Sequence, residues 1–305
     1  MDDMDGNNPR ISVCVCTYKR PNMLGNLLAS LQDQKTNQRF SYSIIVVDND
    51  SEESGRAVTE SFQMQAKIRI EYHVEPKQNI ALARNKAVQM ADGNYFALID
   101  DDEYPIDDWL LFLYEAITAY KVEGVLGPVI PHFAVDPPKW IVKGKFCDRE
   151  RFGTGTYIRK PADTRTSNVL LSRVLFDNNE TPFDSRFGLT GGEDTDFFKR
   201  MMKQGNKFIW CDEACVFETV PAERLSRAYF LKRALLRGVA NAEGVSPLSI
   251  NVGKSAFATV YYIVSLPLRL VLGHDIFMSG LIKMCDHLSK VLATMGLRVI
   301  TRRTF

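Results

Sequence analysis

The segment ISVCVCTYKRP, residues 11–21, contains the pattern that decides the fold. Its apolar, β-branched start predicts a strand over residues 11–16, and the polar residues that follow end that strand. Pro21 suits the first turn of a helix, and leucine and methionine recur at helical spacing over residues 23–31. A buried strand that passes through a short polar turn into a helix is the first unit of an α/β fold.

The same unit recurs along the chain. Apolar runs predict strands at residues 42–47, 68–72 and 95–99, as expected for strands covered on both faces. Ser51 predicts the start of a second helix, and Asn79 predicts the N-cap of a third helix that ends near residue 91. Strands alternating with helices predict an α/β fold with a single, mostly parallel sheet flanked by helices.

The second half of the sequence is less regular. Residues 131–165 are rich in proline, glycine and charge, which is typical of a functional loop or lid. From residue 225 the chain is predicted to be mostly helical. The other predicted elements are helices at 108–120 and 193–203, a strand at 125–129, a short ordered segment at 166–171, and two strands at 207–211 and 215–218 that complete the sheet.

Composition excludes several classes of protein. The 38 Lys and Arg residues nearly balance 37 Asp and Glu, so the sequence has no broad basic field and no nucleic-acid partner is expected. Residues 1–5, MDDMD, are acidic where a secretory signal peptide is basic and then apolar, which predicts a cytoplasmic protein. The six cysteines lack the Cys-x2-Cys spacing of zinc ribbons, so we expect reduced thiols and no structural zinc.

Polar clusters follow three of the predicted strands, at residues 17–20, 48–51 and 100–103. Ligands bind beyond the carboxyl ends of the strands in such sheets, so these clusters predict one shared site. The third cluster, DDDE, places four acids in a row, and a hard divalent cation that also binds phosphate oxygens would neutralise them. The alternative is an acidic loop that caps the next helix.

A second acidic cluster, GGEDTD at residues 191–196, lies at a predicted helix start. Glu193 or Asp194 is a candidate general base toward a hydroxyl, and the alternative is that these acids only cap the helix. Arg84 either holds a pyrophosphate bidentately or is a solvated surface residue. The sequence has no Walker loop, no Gly-x-Gly-x-x-Gly after the first strand and no Gly-x-Ser-x-Gly elbow, which disfavours an NTPase, a dinucleotide oxidoreductase and a serine hydrolase.

Five motifs in order carry a resemblance to a known family: ISVCVCTYKRP, IIVVDNDS, NIALARN, FALIDDDE and FDSRFGLTGGEDTDFF. Together they resemble family 2 glycosyltransferases of the GT-A fold, and within them bacterial exopolysaccharide or succinoglycan-type glucosyltransferases. The resemblance covers residues 11–220 and implies a nucleotide-sugar-binding half (11–103) and an acceptor-binding half (104–220). A flexible acidic tail (1–10) and a helical C-terminal region (221–305) complete the predicted organisation.

The resemblance also implies roles for individual residues. The metal, Mg²⁺ or Mn²⁺, would be held by Asp102 with Asp100, and the proton of the acceptor hydroxyl would be taken by Asp194 with Glu193 beside it. Acceptor contacts are predicted for Trp140 and Gly192. Contacts with the nucleotide or donor are predicted for Thr17, Tyr18, Arg20, Asp48, Asn49, Arg84, Asp100, Asp101 and Asn168.

One departure from the family pattern concerns the metal. Many relatives have a histidine after the last core strand, where this sequence has Glu218. Either Glu218 substitutes as an oxygen ligand or that ligand is lost. Residue 80, often glycine in relatives, is Ile80 here, which bears on the shape of that loop.

The implied reaction is an inverting transfer of a hexose, glucose or a related sugar, from a nucleoside-diphosphate sugar, with a UDP-sugar favoured. The acceptor would be a hydroxyl of a glycan or of a polyprenyl-diphosphate-linked oligosaccharide in bacterial polysaccharide biosynthesis. Two alternatives remain at this point: a non-catalytic sugar-nucleotide-binding scaffold and a metal-dependent phosphohydrolase.

The C-terminal region contains an apolar run at residues 256–272. At 17 residues, with Pro267 and Arg269 inside it, the run is shorter than the roughly 20 residues that span a bilayer. It is expected either to lie at the inner face of the cytoplasmic membrane, with Lys254, Arg269 and Lys283 at the headgroups, or to pack against protein.

Overall fold

The computed structural model of the chain describes residues 8–177, 181–188, 191–242, 245–297 and 300. The strands in these residues are β1 (Arg10–Thr17), β2 (Ser41–Asp48), β3 (Ile70–Val74), β4 (Tyr95–Asp100), β5 (Glu103–Pro105), β6 (Gly124–Leu126), β7 (Val129–Phe133), β8 (Val169–Ser172), β9 (Phe208–Trp210) and β10 (Val216–Val220). The α-helices are α1 (Pro21–Leu31), α2 (Arg56–Gln63), α3 (Ile80–Met90), α4 (Trp109–Tyr120), α5 (Lys139–Lys143), α6 (Glu193–Lys203), α7 (Arg227–Ala240), α8 (Ile250–Leu272) and α9 (His274–Thr294).

The central sheet has seven strands in the order β3-β2-β1-β4-β8-β6-β9. Strands β3, β2, β1 and β4 are parallel, as predicted, and β8 runs antiparallel to both of its neighbours, β4 and β6. Two apolar clusters built from the strands and flanking helices form the core, one including Leu24 and Leu28 of α1 and the other Ala83 and Ala87 of α3. The sheet is therefore covered on both faces.

Two strand predictions were wrong. The strand predicted at 125–129 is interrupted at Gly127 and Pro128, so that β6 stays in the central sheet and β7 joins a second sheet. Proline has no amide hydrogen to donate to the ladder, which explains the break. Strand β10 also leaves the central sheet and pairs antiparallel with β5 in that second, three-stranded sheet, whose order is β5-β10-β7.

The predicted helix start at Ser51 was also wrong, because α2 begins at Arg56. Residues 50–55 form a turn around the Asp48 carboxylate, which accepts hydrogen bonds from the backbone amides of Asp50 (3.0 Å) and Gly55 (2.6 Å). These bonds hold the chain out of the helix until Gly55. By contrast, Asn79 caps α3 as predicted and accepts from the amides of Ala81 and Leu82.

The chain divides into two compact units, one of residues 1–130 and 149–218 and the other of residues 131–148 and 219–305. The first contains the central sheet. Residues 131–148, predicted as part of a loop in the acceptor half, are grouped with the C-terminal helices and include α5. Of the predicted flexible tail, residues 1–7 lie outside the described residues, whereas Arg10 already belongs to β1.

In the second unit, α9 packs against both α7 and α8. Gly238 of α7 allows close approach, since a Cβ there would lie 2.3 Å from the backbone oxygen of Asp286. The predicted apolar run lies inside α8, whose 23 residues are long and apolar enough to cross a membrane by length and composition. The estimate of 17 residues was therefore too short, because the helix begins at Ile250.

Candidate active site

The three predicted polar clusters meet at one edge of the central sheet. Strand β1 lies between β2 and β4, and the register pairs Thr17 with Asp48 on one side and Cys16 with Asp100 on the other. Because these strands are parallel, their carboxyl ends deliver hydroxyl and carboxylate groups to the same place. A small cavity of about 10 Å³, room for about one water molecule, lies beside them and is lined in part by Cys16, Arg84 and Asp100.

Arg20 holds two of the four consecutive acids. Its Nη1 atom lies 3.1 Å from Asp101 and 3.3 Å from Asp102, and Asp101 also accepts a 2.8 Å hydrogen bond from the Thr17 hydroxyl. Burial raises the pKa of Asp101 to about 6, against the opposing effect of Arg20. The side chain of Asp102 is 10% exposed and that of Arg20 is 39% exposed, so Arg20 is the more accessible of the two.

Arg84 connects the two acidic clusters, although Asp100 of the first and Glu193 of the second are 93 residues apart in the sequence. It projects from α3, pairs with Glu193 of α6, and lies 3.3 Å from Asp100 at the end of β4. Burial alone would lower the pKa of Arg84, but Asp100 and Glu193 outweigh it and raise the pKa. The alternative of a solvated surface arginine is therefore wrong, because the residue is only 9% exposed.

The start of α6 depends on two glycines. Gly191 and Gly192 have φ values of 86° and 104°, a region that side chains rarely adopt. They turn the chain so that Glu193 is buried against Arg84, while Asp194 is only partly buried and accepts a 2.7 Å hydrogen bond from the Thr195 amide. Asp194 is thus the more accessible of the two predicted acids.

Two asparagines without a predicted role in the site anchor the segment before α6. Asn85 of α3 exchanges hydrogen bonds of 2.8 and 2.9 Å with the backbone of Phe183. Asn79 donates a 2.9 Å bond to the carbonyl of Ser185. Both asparagines lie in the motif NIALARN, one at each end. This placement is the sequence feature that could have indicated their anchoring role.

The residues at the end of β2 with predicted nucleotide contacts, Asp48 and Asn49, make several hydrogen bonds within the protein. Asn49 donates to the carbonyls of Glu75 and Lys77, both at 2.8 Å, and accepts from the amide of Asn79. Its amide therefore holds the loop after β3, and its nucleotide contact stays a prediction. Asp48 is fully buried and also accepts from the Tyr72 hydroxyl at 2.8 Å; its base contact stays a prediction.

Asn168 is fully buried as well, with a φ of 55°. Its carbonyl accepts from the Trp109 indole at 2.7 Å, and its amide donates to the carbonyls of Pro128 and Ala214 at 2.8 and 2.7 Å. Both hydrogens of the side-chain amide are therefore used within the protein. These bonds give Asn168 a structural role in fixing the adjoining loops, and its donor contact stays a prediction.

The carboxylates offer a metal few protein ligands. Within the described residues, no three His, Cys, Asp or Glu side chains are grouped as a metal cluster. Glu218 instead pairs with Arg149 and lies opposite Glu103 in the β5–β10 ladder, so the predicted grouping of Asp100, Asp102 and Glu218 is not formed. The site fits an ion such as Mg²⁺, which can be held by one or two carboxylates together with substrate phosphates.

Two other residues have predicted substrate contacts, Tyr18 with the nucleotide or donor and Trp140 with the acceptor. Tyr18 is 38% exposed, and the ammonium of Lys19 lies 5.7 Å from its ring centre. In the second unit, Trp140 packs edge-on against Phe146 and Phe230. The acceptor role of Trp140 stays a prediction.

Comparisons with known proteins agree with this geometry. The model of the family described as Glycosyl transferase family 2 matches residues 12–178. The chain is 35% identical over 235 residues to the succinoglycan biosynthesis protein ExoM of Rhizobium meliloti (strain 1021), covering 77% of this chain and 75% of that protein. It is 24% identical to the hyaluronan synthase of Pasteurella multocida over 69% of this chain but only 24% of that much longer protein.

The structure of S. aureus TarS 1–349 in complex with UDP superimposes with a TM-score of 0.54 and 16% identity, over 94% of this chain and 92% of that chain. This likeness establishes the shared fold, including the C-terminal helices. Together with the family match, it confirms the predicted GT-A architecture. The chain therefore belongs to glycosyl transferase family 2 and is a glycosyltransferase that uses a nucleotide sugar.

Proposed function

We propose that the chain is a metal-dependent, inverting hexosyltransferase of bacterial polysaccharide assembly that uses a UDP-sugar. The observation that carries the proposal is the convergence of Asp100 and Glu193 on Arg84, with Asp194 beside them. This brings the acids that suit a diphosphate-bound cation next to an acid that suits an acceptor hydroxyl. Family membership disfavours the phosphohydrolase and scaffold alternatives.

In the proposed reaction, the acceptor hydroxyl attacks the anomeric carbon from the face opposite the nucleotide. The new carbon–oxygen bond forms as the bond to the diphosphate breaks, which inverts the anomeric configuration. Asp194 accepts the hydroxyl proton, which is worth on the order of 10²–10⁴-fold in rate. Arg20 and Arg84 hold the carboxylates at the diphosphate edge in place.

Mg²⁺ or Mn²⁺ would be held by Asp102, with Asp100 nearby, and when bound would supply positive charge to the departing diphosphate. The protein's contribution is orientation, because Arg20 fixes Asp102 and Arg84 fixes Asp100. Glu218 is left out of this ligand set since it pairs with Arg149. Thr17 positions Asp101, which completes the row of acids.

We further propose that the acceptor is a glycan on a polyprenyl-diphosphate lipid and that the enzyme acts peripherally at the inner face of the cytoplasmic membrane. The similarity to a succinoglycan biosynthesis protein supports the glycan. Helix α8 supports the membrane, because only 11% of its apolar window is buried. Lys254 and Lys283 are exposed for headgroups, whereas Arg269 is partly committed to Ser265 and to the ring of Tyr262.

A thermal-shift panel of nucleotide sugars with and without Mn²⁺ tests the donor. A ligand at 100 times its Kd adds about 2.7 kcal/mol of stability to the native state. We expect a UDP-sugar to give the largest shift and Mn²⁺ to increase it. Release of UDP only when a glycan acceptor is added then tests transfer, whereas release of inorganic phosphate would contradict it.

A further inference from the structure

Thr166 is a buried polar residue at the edge of the active site that has no part in the mechanism above. The residue is 1% exposed, and its hydroxyl oxygen is buried without a hydrogen-bond partner among the residues that the structure describes. Buried hydroxyl groups in folded proteins are usually paired with the protein or with ordered water, because an unpaired one loses the bonds that solvent would give it. The Thr166 hydroxyl is therefore expected to bond to an ordered internal water.

The sheet places Thr166 beside the end of β4. Strand β8 runs antiparallel to β4, and the register pairs Val169 with Leu98. The residues that precede Val169 therefore continue past the carboxyl end of β4, where Asp100 lies. This topology explains why Thr166 and Asp100 line the same cavity.

That cavity, of about 10 Å³, has room for about one water molecule. Three of its lining residues have strong hydrogen-bonding groups, Thr166, Arg84 and Asp100, and the others are apolar residues and two cysteines. An internal water needs two to four polar partners, and these three residues supply that number. The cavity therefore meets the conditions for an ordered water.

The three polar groups have complementary hydrogen-bonding capacities. Within the described chain, two of the five N–H donors of Arg84 are taken, one by Glu193 and one by Asp100. A carboxylate such as that of Asp100 accepts hydrogen bonds, and the Thr166 hydroxyl both donates and accepts. One water can therefore accept from Arg84 or Thr166 and donate to Asp100, which also gives the Thr166 hydroxyl its partner.

Such a water would matter most to the orientation of Asp100. The Asp100 side chain is 43% exposed and bonds to Arg84 at 3.3 Å. A bond of that length constrains the carboxylate only weakly, because the last side-chain torsion of aspartate has a broad distribution. A second bond, from a water in the cavity, would fix that torsion.

We propose that Thr166 is a positioning residue that binds one buried water and through it orients the carboxylate of Asp100. The proposal rests on the proposed function, in which Asp100 lies beside the metal and the diphosphate. Arg84 then holds the carboxylate directly, and the water holds it from the cavity. Thr166 touches neither the metal nor the substrate, so it acts on donor binding only through Asp100.

High-resolution crystal structures of the full chain test the water directly. We compare the wild type with Thr166→Val, which keeps the shape of the side chain without its hydroxyl, and with Thr166→Ser, which keeps the hydroxyl. We expect the wild type and Thr166→Ser to show a water peak about 2.7–3.2 Å from the hydroxyl oxygen and from Asp100 or Arg84. Thr166→Val should lack it. A wild type without the peak, or an unchanged peak in Thr166→Val, would overturn the proposal.

Calorimetric titration of UDP, with and without Mn²⁺, tests the positioning role. Thr166→Val should reduce the gain in UDP affinity that Mn²⁺ provides by about tenfold or more, as is typical of contacts that orient a metal ligand. UDP affinity without Mn²⁺ should stay unchanged, and Thr166→Ser should restore most of the gain. The matched control, Thr164→Val, removes a second buried hydroxyl that bonds to the carbonyl of Pro161 and does not line the cavity. The control should keep the full gain.

Three results of the titrations would overturn the positioning role: an unchanged Mn²⁺ gain in Thr166→Val, an equal loss of UDP affinity with and without Mn²⁺, or the same loss in Thr164→Val. A wild type whose UDP binding does not respond to Mn²⁺ would count against the proposed function instead, and the water peak would still decide whether Thr166 binds a water. If Thr166→Val fails to fold, Thr166→Ala replaces it in both experiments.

Discussion

Arg84 joins Asp100 on β4 to Glu193 on α6, and Asp194 follows directly. The two adjacent acids, Glu193 and Asp194, have different surroundings and therefore suit different roles. Glu193 is buried and paired, which suits it to orient the site, whereas Asp194 is partly exposed and suits proton transfer. The proposed roles of these two acids thus follow from their burial more than from their side-chain chemistry.

Asp194→Asn is expected to lower the rate of sugar transfer by on the order of 10²–10⁴-fold, because an amide cannot accept the acceptor proton. UDP affinity should stay within a few-fold of wild type, since Asp194 makes none of the proposed diphosphate contacts. Steady-state kinetics and UDP titration check both statements. Asp196→Asn, on the same helix and paired with Arg200, is the matched control. Near-normal transfer by Asp194→Asn would remove the assigned base.

The pKa of Asp101, raised to about 6, predicts a pH-dependent stability. Between about pH 6 and pH 4 the folded chain holds the Asp101 proton while the unfolded chain has released it, so this residue adds stability as the pH falls. The free energy of unfolding should rise by up to about 1.4 kcal/mol per pH unit in that window from this group. Urea unfolding of wild type and Asp101→Asn checks the difference. Parallel pH profiles for the two proteins would contradict the assignment.

At the scale of helices and strands, the apolar runs and caps of the first half were sufficient to predict β1–β4, α1 and α3. Prediction of the site was limited by hydrogen bonds between residues that are far apart in the sequence. The amide of Asn49 is committed to the loop after β3, and Asn168 is held by Trp109 from 59 residues away. No local pattern distinguishes an asparagine that binds a ligand from one that binds distant backbone, so these structural bonds could not be predicted from the sequence.

The segment before α6 provides a test of such anchoring. A Cβ at Gly188 would lie 1.7 Å from the Oδ1 atom of Asn79, the same oxygen that caps α3. Gly188→Ala should therefore displace the Asn79 side chain and cost about 1–3 kcal/mol in the free energy of unfolding. Chemical denaturation measures this.

The matched control is Gly253→Ala in α8, where a Cβ meets nothing within 4 Å. Alanine there should be neutral or stabilising, because it favours the helix over glycine by about 1 kcal/mol. Equal stability of the two variants would show that the anchor at Asn79 is not tight.

At the scale of the whole molecule, the two units differ in their surfaces. The first buries its apolar strands and directs its acids to one edge, whereas α8 of the second leaves large apolar side chains exposed. Val264 is 74% and Val271 85% exposed. Such a surface is unusual for a protein that meets only water, and it is consistent with the proposed contact with lipid.

The double substitution Val264→Glu and Val271→Glu should weaken binding to vesicles containing phosphatidylglycerol by tenfold or more, because each buried aliphatic side chain contributes about 1.5–3 kcal/mol. Sedimentation with vesicles measures the partition. Met64→Glu, at a position 81% exposed in the first unit, introduces charge without touching α8. Unchanged partition of the double variant would mean that α8 is covered by protein instead.

The central claim, that the acids at this sheet edge hold a cation beneath a nucleoside diphosphate, is tested most directly by a crystal of the chain with UDP and Mn²⁺. We predict an anomalous manganese peak within about 2.0–2.3 Å of an Asp102 carboxylate oxygen and of the diphosphate. A well-ordered UDP with no manganese at Asp102, or a nucleotide bound elsewhere, would contradict the account.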